Sequence, residues 1–351
     1  MSNHIRWPAL VVAGLIFAAC TTAATPAPTS PRGTAPVTDG TLPKPELTSL
    51  RIAANVQEPA QFTPALADVA GIYEKYGIEV TFTNFNDDGQ ALQALLAGQV
   101  DMASVAASGI MNSLLSDTPA KSLTMQKVKV NDGLFCQQDV KTAADVKGKL
   151  VAVSTLGSTG HASALLAIEG LKMTDKDVTM QPIGGEATRI AAMKGGSVAC
   201  APIDMILEAD MKALGFNLLI DLSEADLPYP ATGLAALDTF LTKNPNTALV
   251  VVAANLEAHN MMWADPDKAA GYWAEYGQVD KAKALELVNG FTAIGNRSLR
   301  FTAGAFEFAQ KVTAIVQPAI MSVDVKDAMD LSYLQKLEDI GFYKKIGNPL
   351  P

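Results

Sequence analysis

Short apolar runs of strand length recur along this chain, each followed by a polar or glycine-bearing loop and then by a stretch with apolar positions three and four apart. Ser49 to Val56 reads as a strand that breaks into the polar loop Gln57-Glu58-Pro59-Ala60-Gln61-Phe62. Thr63 then caps a helix that takes Pro64 in its first turn and sets Leu66, Val69 and Ala70 on one face. Ile78 to Thr83 alternates Ile, Val and Phe with Glu and Thr, a second strand. After the turn-rich Asn84 to Gly89, Asp87 or Asp88 caps a helix over Gln90 to Ala97, Gly98 stops it, and Val100 to Val105 is a third strand. This βαβαβ order predicts a parallel sheet with helices on its faces.

The same unit returns. Lys149 to Ser154 is a strand, Leu156 to Gly160 a loop and Ala162 to Leu171 a helix; Val178 to Ile183 is another strand, followed by Gly184-Gly185 and a helix to Lys194. An internal echo accompanies it. Ala94-Leu95-Leu96-Ala97-Gly98-Gln99-Val100-Asp101-Met102-Ala103 aligns without gaps on Ala192-Met193-Lys194-Gly195-Gly196-Ser197-Val198-Ala199-Cys200-Ala201, each a helix end, a glycine cap and a buried strand. From Leu234 onward the pattern is helical, punctuated by Asn244-Pro245, Asp265-Pro266 and Gly277. Leu249, Val252, Leu256, Met261, Trp263, Phe306, Val312, Ile315 and Val316 are expected in the core.

The N-terminus follows different rules. Arg6 precedes an apolar run from Trp7 to Ala19, shorter than the roughly 20 residues of a membrane span, as in the core of a secretory signal. Ala18-Ala19-Cys20 resembles a lipobox, in which cleavage before Cys20 leaves a lipid-bearing thiol. Thr21 to Leu47 carries Pro26, Pro28, Pro31, Pro36, Pro43 and Pro45 and few large apolar side chains, so an extended tether is expected. At about 3.1 Å per residue it reaches up to roughly 80 Å.

About 300 residues remain for the exported body, enough for two lobes. The formal charge of -9, without basic runs, argues against nucleic acid or an anionic membrane surface as partner. Cys136 and Cys200 do not form a disulfide framework and read as buried free thiols, although an oxidising compartment permits their pairing. His4, His161 and His259 are scattered, so neither a metal site nor a cofactor is expected.

Ala70-Gly71-Ile72-Tyr73-Glu74-Lys75-Tyr76-Gly77-Ile78-Glu79-Val80, followed by Ala94 to Ala103, resembles the opening of the SsuA/THI5-like (NMT1-like) solute-binding proteins of ABC transporters. Val146-Lys147-Gly148-Lys149-Leu150-Val151-Ala152-Val153 is similar to their entry into the second lobe, and Leu156-Gly157-Ser158-Thr159 to the ligand loop after it. Leu241-Thr242-Lys243-Asn244-Pro245 and Asp265-Pro266-Asp267-Lys268-Ala269 match their C-terminal helical segments. The resemblance implies a two-lobed α/β fold of the periplasmic-binding-protein type II, each lobe a mostly parallel sheet flanked by helices. With it come a signal peptide over 1–19, a lipid-anchored tether over 20–47, lobe 1 over 48–136 and 231–351, and lobe 2 over 137–230. The lobes would be joined by crossings near Leu134 to Gln138 and Leu222 to Thr232. It also implies a monomer on the outer face of the cell membrane that delivers a solute to an ABC permease and its ATPase subunit.

Ligand groups are expected on the loops after the strands. The candidates are Asn55, Gln57, Gln61, Phe62, Asp87, Ser104, Ser108, Ser158, Thr159, His161, Asp204 and Tyr229, with Glu186 and Arg189 nearby and Arg189 the only strong cation. Amides, hydroxyls and acids suit the mixed donors and acceptors of a neutral heterocycle such as riboflavin or a thiamine-type pyrimidine; a sulfonate prefers cations or clustered backbone amides. An alkanesulfonate or taurine-type anion is the alternative, since a helix start at Ser158 to His161 can hold an anion without a cation. Enzyme motifs are lacking: Gly157-Ser158-Thr159-Gly160-His161 is not a nucleophile elbow, and a pyrimidine-synthesising enzyme needs no export signal. A sensory receptor would share the fold.

Cys20→Ser is expected to release the exported chain from membranes in a fractionation assay. The unaltered chain is expected to take up labelled fatty acid, and absence of label would remove the anchor.

Overall fold

The computed structural model describes residues 39–54, 58–85 and 87–348. Cys20, the signal segment and the tether to residue 38 lie outside them, as do Asn55 and Gln57. Ten strands occur among the described residues: β1 (Ser49–Ala54), β2 (Glu79–Asn84), β3 (Met102–Val105), β4 (Ala120–Ser122), β5 (Asp132–Cys136), β6 (Leu150–Val153), β7 (Thr179–Pro182), β8 (Cys200–Asp204), β9 (Asn217–Asp221) and β10 (Gly233–Leu237). They form two sheets of five, ordered β2-β1-β3-β10-β4 and β7-β6-β8-β5-β9.

Each sheet has a parallel half built from the βαβαβ unit. Leu50 pairs with Val80 and Ile52 with Met102 in the first; Val151 pairs with Met180 and with Cys200 in the second. The sequence echo is a structural repeat. The helix Asp88–Leu96 leads through Gly98 to β3, and the helix Glu186–Lys194 leads through Gly196 to β8. Both glycines have positive φ, 67° and 73°, a conformation that a Cβ would strain.

The other half of each sheet is antiparallel. β10 pairs with β3 and β4, and β5 pairs with β8 and β9. The sequence reading missed β4, β5, β9 and β10. In particular, 233–237 is a strand, and the helix begins only at Asp238. The residues of β10 through Ala236 are buried, so the run shows no polar alternation that would mark a strand. Gly233 fits because a Cβ there would sit 1.8 Å from the Thr124 carbonyl oxygen.

Two segments cross between the sheets, 123–131 and 222–232, and they pair with each other. Gln126 N–H donates to Thr232 O (2.8 Å) and Ala231 N–H to Lys127 O (2.9 Å). Leu134 to Cys136 lie inside β5 and therefore in the second sheet, beyond the crossing, although the sequence boundary left β5 with lobe 1.

Other local expectations also shift. Asp87, not Asp88, caps its helix, accepting from Gln90 N–H at 3.0 Å. Thr63 does not cap; its hydroxyl meets Nδ1 of the buried His259 at 2.9 Å. Residues 39–47, expected at the end of a free tether, lie along the body, where Glu46 accepts from the backbone N–H groups of Asn246 (3.0 Å) and Thr247 (2.6 Å) at the start of the helix Pro245–Ala264. Ile315 and Val316 are exposed because the helix Ala303–Ala314 ends before them.

Cys136 and Cys200 are not free thiols: they form a disulfide across β5 and β8. The antiparallel partner strand missed in the sequence brings them opposite each other. Neither cysteine is expected to react with a thiol reagent in denaturant lacking reductant. Reduction is expected to lower stability by about 4 kcal/mol, the loop-entropy value for this separation of 64 residues, read as a shift of the denaturation midpoint.

Candidate functional site

A cleft lies where the loops after the parallel strands face each other, and both crossings contribute to it. The first lobe supplies Glu58 to Gln61 from the turn after β1, Asp87 and Asp88 at the start of a helix, and the apolar Leu287 and Phe291 from the helix Lys281–Ile294. The second supplies Thr159 and Gly160, Glu186 and Arg189, and Asp204 with Ile206 and Leu207 at the end of β8. Lys127, Ala231 and Thr232 come from the crossings.

The cleft is acidic. Six carboxyl groups line it, from Glu58, Asp87, Asp88, Asp132, Glu186 and Asp204, against two cations, Lys127 and Arg189. Lys127 Nζ lies 2.6 Å from Asp204 Oδ2 and 3.5 Å from Asp132 Oδ1. Burial alone would lower the pKa of this ammonium, but Asp204, Asp132 and Glu186 outweigh it and hold the proton on. Asp204 is fixed further by the Asn131 amide (2.7 Å) and by Ile206 N–H (3.0 Å), while its own N–H donates to Glu186 Oε1 (2.7 Å). Ser163 donates to Asp132. Arg189 donates to the carbonyls of Gly184 (3.0 Å) and Pro202 (3.2 Å), so its guanidinium is held against the backbone.

Burial raises three of the acids, Asp88, Glu186 and Glu58. Burial, with Glu58 and Asp87 nearby, pushes Asp88 up to about 7. Burial, with Glu58 and Asp204, pushes Glu186 up to about 8. Glu58 is also raised, by burial first, against the opposing pull of Arg189 and Lys127. Among the described residues no group of three or more His, Cys, Asp and Glu side chains has the arrangement to hold a metal ion.

Of the residues expected from the sequence, Gln61, Asp87, Thr159 and Asp204 line this cleft, as do Glu186 and Arg189. Asn55 and Gln57 fall outside the described residues. Phe62 is not a stacking platform: it is fully buried behind the cleft, stacked on Trp273 with centroids 5.2 Å apart. Tyr229, Ser104 and Ser108 are buried away from the lining. Ser158 acts as a helix cap, bonded to Thr155 O (2.7 Å) and to the Ser154 hydroxyl (2.6 Å). His161 turns from the cleft and accepts from Gly157 N–H (2.9 Å), and burial lowers its pKa. Ser158 and His161 therefore have separate partners and form no nucleophile–base pair.

The sequence reading missed Lys127, Asp132 and the role of Glu58. Arg189 is buried. A lysine within Met125-Gln126-Lys127-Val128, a stretch of otherwise uncharged residues, was the available signal for a paired buried charge.

Two α/β lobes with a cleft at the carboxyl ends of their parallel strands define the periplasmic-binding-protein fold. The chain matches the model of the NMT1/THI5-like family over residues 60–269 and belongs to that family. A Brucella abortus (strain 2308) protein whose name calls it a binding protein is 26% identical over 246 residues, 68% of this chain and 75% of that one. Among solved structures, the nitrate-binding protein NrtA of Synechocystis PCC 6803 superposes with a TM-score of 0.69 at 15% identity, over 87% of this chain and 92% of that one. The alkanesulfonate-binding protein SsuA of Xanthomonas axonopodis pv. citri, bound to MOPS, gives 0.67 at 18% identity, over 81% and 99%. The desulfurization enzyme DSZB gives 0.60 at 15% identity, over 83% and 99%. These likenesses establish the fold.

Lys127→Met is expected to cost about 3–5 kcal/mol near neutral pH, because two buried aspartates lose their counter-charge, and the deficit should shrink as acid protonates them. Asp88→Asn should act in the opposite direction. With its pKa raised to about 7, the folded state keeps a proton that the unfolded chain loses near pH 4, so stability falls as pH rises between those values. The asparagine removes that loss, and its melting temperature at pH 8 is expected to exceed that of the unaltered chain by a few degrees.

Proposed function

We propose that this chain is an extracytoplasmic solute-binding protein that captures a nitrogen-containing ring compound and delivers it to the permease and ATPase subunit of an ABC importer. The acidic cleft carries the choice of ligand. Six carboxyl groups face two cations, of which Lys127 is ion-paired and Arg189 is bonded to backbone carbonyls, a lining rich in hydrogen-bonding oxygens and poor in cations that could attract an anion. Riboflavin and thiamine-type pyrimidines offer ring N–H or amino donors to such acceptors, and Leu287, Phe291, Ile206 and Leu207 offer apolar surface to the ring. Membership of the NMT1/THI5-like family supports the transport reading.

The alkanesulfonate reading has one observation in its favour: the helix start at Thr159 and Gly160 lines the cleft. Two relatives of similar fold are named for binding nitrate and alkanesulfonate. Against this stands the charge of the lining, which a sulfonate would have to approach without a free ammonium or guanidinium.

A lipid on Cys20 would hold a monomer at the outer face of the cell membrane. Lobe closure would pivot on the paired crossings 123–131 and 222–232.

Calorimetry against riboflavin, aminopyrimidines, taurine and short alkanesulfonates is expected to give heat with a ring compound and none with the sulfonates. Tight sulfonate binding together with silent ring compounds would reverse the choice. Small-angle scattering at saturation with the bound compound is expected to show a smaller radius of gyration than the empty protein.

A further inference from the structure

We propose that the solute carries a formal positive charge, on an amidinium, guanidinium or ammonium group, and that this group seats on the seam between the lobes among Asp88, Glu58 and Glu186. The inference rests on the reading of the cleft as a solute site and departs from the neutral heterocycle expected from the sequence: it favours a basic ring compound, such as an amine-bearing pyrimidine, over riboflavin.

Two independent observations point to a cation. The first is the fate of the protein's own cations. Lys127 is taken by Asp204 and Asp132, and Arg189 by two backbone carbonyls, so neither closes on Asp88 or Glu186 as an ion pair. The second is Asp88 itself. The residue lines the cleft and is only 8% exposed, yet among the described residues its carboxylate has no hydrogen-bond or ion-pair partner beyond its own backbone amide. A carboxylate so placed is costly to ionise unless a counter-charge arrives.

The acids come from both sides of the cleft. Asp88 and Glu58 belong to the first lobe and Glu186 to the second, so when they ionise in an empty cleft they set like charges against each other across the seam. A cationic ligand converts that repulsion into attraction from both lobes at once. The apolar wall of Leu287, Phe291, Ile206 and Leu207 assigns the rest of the ligand an apolar or aromatic body. Affinity should therefore rise with pH as Asp88 and Glu186 ionise, against a background set by Glu58, Asp87, Asp132, Asp204, Lys127 and Arg189.

Three probes that share one ring and differ in charge test this: benzamidine, which stays protonated throughout, neutral benzamide and anionic benzenesulfonate. Calorimetry at about pH 6 and about pH 8.5 is expected to give benzamidine at least roughly tenfold tighter binding than benzamide at the higher pH. The gap should narrow at the lower pH, and it should collapse in both Asp88→Asn and Glu186→Gln, with melting curves verifying that each variant is folded. Benzamidine no tighter than benzamide would overturn the charge assignment while leaving the ring reading in place. Binding of methylguanidine without any benzene-ring probe would uphold the charge and remove the ring. Preferred binding of benzenesulfonate, or no cation bound at millimolar concentration, would overturn the proposal.

Discussion

The buried contact of Lys127 with Asp204 and Asp132 is the interaction on which the arrangement of the cleft depends. Lys127 sits on a crossing segment and both aspartates on strands of the second sheet, so the ion pair fastens the crossing to one lobe. Such a cluster adds little net stability compared with an apolar equivalent, but it cannot lose one member without stranding the others. Its value is positional. Asp204 is held by the ammonium, by Asn131 and by the Ile206 amide, and its own amide holds Glu186. Through this chain of contacts the charge on the crossing sets where the second lobe presents its acids.

The same economy explains the acidity of the remaining space. Lys127 is ion-paired elsewhere and Arg189 makes no ion pair with Asp88 or Glu186; burial, with Glu58 nearby, raises both against the opposing charge of Arg189. A transport protein of this fold must hold its cargo and later release it. On the proposal that the solute brings a positive charge, the cleft would satisfy both needs, because the empty state would lack the attraction that holds it shut.

The parallel halves of both sheets were legible because helix and strand periods alternate there with glycine stops, and the Gly98/Gly196 echo proved to mark equivalent turns. The antiparallel halves were not. β5 and β10 are buried runs without polar alternation, which sequence period alone does not assign. At the site, residues on loops after parallel strands could be placed by topology, which located Asp87, Thr159 and Asp204. Phe62 and Tyr229 failed because an aromatic beside a loop gives no sign of which side of the backbone its ring takes, and both point into the core. Lys127 was invisible because its meaning depends on the two strands that carry its partners.

One covalent link reaches further than its place in the sheet suggests. β5 and β8 run antiparallel with Cys136 opposite Cys200 at one end and Asp132 opposite Asp204 at the other. Strand pairing has a period of two, so a slip of one residue would turn an aspartate to the opposite face of the sheet. The disulfide forbids that slip and so acts as a ratchet pin for the two charges that grip Lys127. A chain kept in a reducing compartment would hold the same register by backbone hydrogen bonds alone. The placement of both charges is thus coupled to the oxidation state of a bond four residues along each strand from them.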